Sequence, residues 1–134
     1  MIAAIGAIVV LVLVFLSALH LYWLLGGTFG TGAVVPERAG QPAFRPSAGA
    51  TAAVAVGLIA AAGVVAMRAG VTSAPAGGPI VRVGTWAVAA AFLLRAIGDF
   101  RLVGLFRRER GTRFAKWDAR LYTPLSVFIG LGTA

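Results

Sequence analysis

The chain is 134 residues long, 60% hydrophobic and only 12% charged, with a mean hydropathy of +0.94, which lies outside the range of soluble domains. It contains no cysteine, so disulfides, thiol catalysis and sulfur-ligated metal sites are excluded. The formal charge of +8 gathers between apolar stretches, where the positive-inside rule accounts for it. No groove-reading or base-stacking module accompanies the charge, and nucleic acid is not an expected partner.

The first apolar stretch covers residues 2–25, roughly 36 Å of helix, enough to cross a hydrocarbon core with some tilt. It has no basic start and is longer than a signal peptide's apolar core, so it reads as a retained span. Gly6, Leu13, Ser17 and His20 fall on one side at helical spacing, which turns the polar edge toward other helices. Tyr22 and Trp23 form an interfacial anchor before Gly26 and Gly27 break the helix.

Residues 26–48 are rich in Gly and Pro and read as an extended loop. Their glycines lack the Gly-Lys-Ser/Thr ending of a phosphate-binding loop. The second span, 50–67, carries Ala53, Gly57 and Ala61 at four-residue intervals, a small-residue face that predicts a central, buried helix. A turn-rich linker over 68–78 follows, and Pro79 suits the first turn of the next helix.

The third span is expected over 80–106. It contains Arg95 and Asp99 at i and i+4, spaced to form an internal ion pair that makes the helix tolerable in lipid, and charges inside a bilayer are also costly enough to mark a candidate functional site. From Arg107 to Arg120 the chain holds Arg107, Arg108, Arg110, Arg113, Lys116 and Arg120. Phe114, Trp117 and Leu121 share a face there, which predicts a short basic helix lying in the membrane surface, capped by Thr112. The last segment, 121–134, has Thr123 as a cap and Pro124 in the first turn. It spans only about 21 Å against a core of about 30 Å, so the chain is expected to continue past Ala134 or to have its end sheltered by a partner.

The expected architecture is an all-α membrane protein, a single domain over 1–134 with four transmembrane helices in a bundle. The cluster of six basic residues is expected on the cytoplasmic side of a bacterial plasma membrane, which places loops 26–48 and 107–120 inside and both termini outside. His20 then lies about 7–8 Å inside the cytoplasmic end of its span and Arg95 roughly 9 Å inside its own, with Asp99 and Tyr122 nearer the surface. These four side chains are expected to form one polar layer in a bundle open toward the cytoplasm.

One ordered series of residues carries a family resemblance. His20-Leu-Tyr22-Trp23 precedes Gly26-Gly27; Arg95-Ala-Ile-Gly98-Asp99-Phe100-Arg101 follows with Val103-Gly104; then come Phe114-Ala115, Asp118, Tyr122 and Pro124-Leu125. The pattern resembles a family of small bacterial four-span membrane proteins known only as a domain of unknown function. The resemblance covers nearly the whole chain and implies a fold without an activity. Family members often have a cysteine after the Pro-Leu pair, where this chain has Ser126, so no thiol role transfers.

Three functions fit these residues. The preferred one is an accessory or interaction subunit docked in a larger membrane complex or a homodimer, its basic loop contacting anionic headgroups. The second is a protein or enzyme for a lipid or other hydrophobic molecule, with His20 and Asp99 as an acid–base pair and Arg95 holding an anionic group. The third is a dimeric small-molecule transporter built around the Arg95–Asp99 layer. No nucleophile elbow, HExxH or paired carboxylates support catalysis. One histidine and one intramembrane carboxylate are too few for a metal site, haem would need a second histidine, and no cofactor is expected.

Overall fold

The computed structural model describes residues 2–73 and 77–134. Met1 and the centre of the expected 68–78 linker, residues 74–76, lie outside the described residues. In chain order the elements are α1 (Ile2–Leu24), α2 (Thr31–Val34), β1 (Glu37–Arg38), β2 (Gln41–Pro42), α3 (Ala48–Arg68), α4 (Pro79–Ile97), α5 (Arg113–Trp117), a π-helical turn (Asp118–Tyr122) and α6 (Thr123–Thr133). Helices α1, α3 and α4 are long and apolar enough to cross a membrane.

The helices pack in a ring: α1 along α3, α3 on α4, α4 on α6, and α6 back against α1. Val9, Leu13, Ala62, Val65 and Ile129 form the buried centre. Close approach of α6 is secured by two glycines facing different neighbours. Gly130 lies against Leu93 and the Ala89 carbonyl of α4, while Gly132 meets Val9 and Ile5 of α1. Outside, Leu11, Phe15, Val56, Val83, Trp86 and Leu131 are exposed, the inverse of a soluble domain and suited to lipid contact.

Pro79 and Thr112 start helices as the sequence predicts, and the structure adds a third start at Ser47. Ser47 accepts the Ala50 N–H at 3.1 Å and starts α3, Pro79 opens α4, and Thr112 accepts the Ala115 N–H at 3.1 Å to start α5. The polar edge of α1 does face its neighbour, because the Ser17 hydroxyl donates to the Ala55 carbonyl at 2.8 Å.

Several expectations are corrected. Only one end of the small-residue face of α3 packs: Ala61 is partly buried against the core, Ala53 and Gly57 are exposed, and Ala55, Ala62, Val65 and Ala66 are the buried residues. The 26–48 connection is not wholly extended, since it contains α2 and the antiparallel β1–β2 pair with Arg38 opposite Gln41. Helix α4 ends at Ile97 rather than continuing to Phe106. Gly98 takes φ 87° and Gly104 φ 88°, and the two backbones touch so closely that a Cβ at Gly98 would collide with the Val103 carbonyl.

The basic segment also differs from a separate surface helix. Phe114 points inward while Trp117 and Leu121 are exposed, and α5 runs through the π turn into α6 without a break. Thr123 therefore caps nothing. Pro124 has no N–H to give the carbonyl four residues back, and the chain absorbs the mismatch by widening, with the Thr123 N–H reaching the Asp118 carbonyl.

Candidate functional site

At the end of the ring where α1 and α4 finish, the helices and the connection over 27–47 border a half-open cavity of about 1090 Å³, at or above the upper end of the roughly 300–1000 Å³ of small-molecule sites. Its inner wall is apolar, formed by Leu16, Leu58, Phe92, Leu125 and Ile129. Polar groups concentrate toward the connection over 27–47: His20 and Trp23 from α1, Thr51 from α3, Arg95 from α4, Tyr122 and Ser126 from the last helix, and Arg45 from the connection itself.

Three of the four residues expected in one layer, His20, Arg95 and Tyr122, thus line one cavity. The His20 Nδ1 lies 2.7 Å from the Leu16 carbonyl, and its ring meets Trp23 edge-on at 5.1 Å. Trp23 in turn donates from Nε1 to the Phe29 carbonyl at 2.9 Å, so the aromatic end of α1 ties down the loop that follows it.

Asp99 does not belong to this layer and makes no ion pair with Arg95. It lies beyond the end of α4, where Oδ1 accepts the N–H groups of Arg101, Leu102 and Val103 at 2.9, 2.7 and 3.0 Å. Burial pushes its carboxyl up, but those backbone donors outweigh it and hold the group below its ordinary value. It borders a separate cleft with Arg38, Arg101, Arg108 and Glu109.

The partner of Arg95 is Asp118, which is 0% exposed. Its Oδ1 accepts Arg95 Nη2 at 2.7 Å. Its Oδ2 accepts the Gly104 N–H at 2.8 Å, the Thr123 hydroxyl at 3.1 Å and Arg107 Nη1 at 3.2 Å. One carboxylate therefore joins α4, the 98–112 loop and the last helix, and it does so from the first position of the π turn. Arg107 is drawn into this cluster, its side chain 11% exposed, and is not a surface contact. Arg108, Arg110, Arg113, Lys116 and Arg120 remain exposed. The Arg113 N–H donates to Glu37 at 3.1 Å and fixes the β1–β2 pair to α5.

Asp118 is the residue that sequence reasoning passed over as a site. A signal for it existed: it falls four residues after Phe114 and four before Tyr122, as the lone acid among basic neighbours on the face that turns inward. Among the described residues, no three His, Cys, Asp or Glu side chains gather as a metal site.

Three helices of spanning length, an apolar exterior and a cavity between the helices define a helical membrane protein. The chain belongs to the family described as protein of unknown function (DUF3995), whose model matches residues 13–133. No curated protein and no solved structure matches it.

Proposed function

We propose that this protein binds a small lipophilic molecule of the membrane within its helical ring, in the cavity bounded by α1, α3, α4 and the last helix. One observation carries the reading: a space of about 1090 Å³ has an apolar inner wall and polar groups at one end only, the arrangement that suits a molecule with a tail and a head. In this reading α5, the π turn and α6 together form the fourth crossing. The basic 107–120 segment faces the cytoplasm of a bacterial cell, and the cavity opens toward that side. A reporter fused near residue 70 tests the orientation; a cytoplasmic signal there inverts it.

The binding reading is tested by purifying the full chain in mild detergent and identifying small molecules released on denaturation. A lipophile near one per chain, reduced when Thr51→Trp narrows the cavity wall, is the expected result. Release of bulk lipids alone, in membrane proportions and unchanged in the variant, refutes it.

A second reading, an accessory subunit of a larger assembly or a homodimer, rests on a separate observation. Ala53, Gly57 and Ala60 form an exposed stripe along α3, where a further helix finds room for close backbone approach. Co-purification of a large complex that dissociates on Gly57→Leu would support it.

A further inference from the structure

We propose that the molecule held in the cavity carries an anionic head, a carboxylate or a phosphate, and that Arg95 binds it. This rests on the binding reading above and adds the chemical class of the ligand.

The argument begins with charge. Asp118 stands between the guanidinium groups of Arg95 and Arg107, so one positive charge in this cluster has no counterpart. The chain has four acidic residues in all, and the other three are placed elsewhere. Glu37 receives the Arg113 N–H, Asp99 closes its own turn, and Glu109 borders the separate cleft. An uncompensated charge beside an apolar cavity is costly, and an anion supplied from outside the chain removes that cost.

Hydrogen bonding gives the same answer independently. Asp118 already receives four donors on its two oxygens, three of them on Oδ2. Arg95 gives it only Nη2, and Nη1 of Arg95 is buried with no partner. Arg95 also lines the cavity. The guanidinium is held at Nη2 on a fixed carboxylate while its side chain stays 34% exposed, so an entering anion that draws Nη1 out of its buried position gives that donor the partner it lacks. The other polar side chains around it, those of His20, Arg45, Thr51, Tyr122 and Ser126, include a second cation and no acid. The polar end of the cavity therefore repels a cationic head and attracts an anionic one.

The test uses the full chain with Trp86→Phe and Trp117→Phe, so that Trp23 on the cavity wall is the only tryptophan. In phosphatidylcholine nanodiscs at alkaline pH, it is titrated with a dibrominated stearate and with the dibrominated alcohol of the same chain; bromine quenches tryptophan on contact. The expected result is saturable quenching by the acid, bound at least about tenfold more tightly than the alcohol. Arg95→Gln brings the acid down to the affinity of the alcohol, and Arg95→Lys retains part of the difference. Competition by oleate and by oleoyl lysophosphatidate then separates a carboxylate from a phosphate head, according to which displaces the probe at lower concentration. Equal saturable binding of acid and alcohol overturns the anionic head and leaves the cavity reading standing. Quenching that never saturates with either probe removes both. If Arg95→Gln fails to fold, the comparison of acid with alcohol on the otherwise unchanged chain still decides.

Discussion

Replacing Asp118 with alanine leaves two guanidinium groups facing each other without the carboxylate that separates them. Removing one partner of a buried pair costs about 3–5 kcal/mol. Here the Arg107 side chain is 11% exposed and bears most of that cost, whereas Arg95, at 34%, recovers part of it through solvent. The Gly104 N–H and the Thr123 hydroxyl lose their acceptor as well, at about 1–3 kcal/mol each if nothing replaces it. Neighbouring losses overlap, so the sum is smaller than its parts and about 3–5 kcal/mol is expected overall. The measurement is equilibrium unfolding in mixed micelles of rising SDS content, followed by tryptophan fluorescence. Removing Arg107 too, as Asp118→Ala with Arg107→Met, eliminates one unpaired charge and restores at least about 1 kcal/mol. A single-variant loss below about 1 kcal/mol, or a double variant no more stable than the single, refutes the account of Asp118 as the carboxylate that holds the loop and two helices together.

Three further outcomes follow from the same geometry. Gly98→Ala forces a Cβ onto the Val103 carbonyl at a positive φ and costs at least about 2 kcal/mol in the same unfolding assay, against about 1 kcal/mol for Gly26→Ala, where φ is also positive but no atom lies near. Gly130→Val pushes Leu93 and the Ala89 carbonyl away from α6 and costs about 1–3 kcal/mol, and a disulfide-trapping pair across α4 and α6 loses its cross-linking yield in that background. The carboxyl of Asp99 titrates below its unfolded value, so its contribution is complete above the unfolded pKa of about 3.9 and is lost as pH falls through the lower folded value. Amide exchange of Leu102 and Val103 is therefore expected to accelerate below about pH 4 in the parent chain, and Asp99→Asn removes that pH dependence.

Much of this architecture is visible in single residues. Pro79 and Thr112 mark helix starts through chemistry confined to one turn, and each acts as read. His20, Arg95 and Tyr122 line one cavity because depth along a span follows from counting residues, whatever the packing. The end of α4 was hidden because Leu102-Val103-Gly104-Leu105-Phe106 continues the apolar run. What stops the helix is contact between two glycine backbones, which hydropathy does not register. The packed face of α3 escapes the sequence pattern for a similar reason. Small residues cover much of the helix, and only the position of α1 and its Ser17 bond selects the stripe through Ala55 and Ala62. Sequence spacing pairs Arg95 with Asp99, but Gly98 turns Asp99 away and leaves the place to Asp118, 23 residues on.

That the charged cluster is drawn wholly from residues between Arg95 and Thr123 bears on how the chain enters a membrane. An isolated arginine at the centre of a helix raises the insertion free energy by about 2.5–3.5 kcal/mol. Here both guanidiniums and their carboxylate emerge from the ribosome within one short interval, with the loop that brings them together. The two guanidiniums drawn into this cluster can therefore find their carboxylate before the second half of the chain meets α1 or α3. Those two helices reach the lipid first with almost no charge to conceal, and the buried cluster they then receive is already neutralised to within a single positive charge.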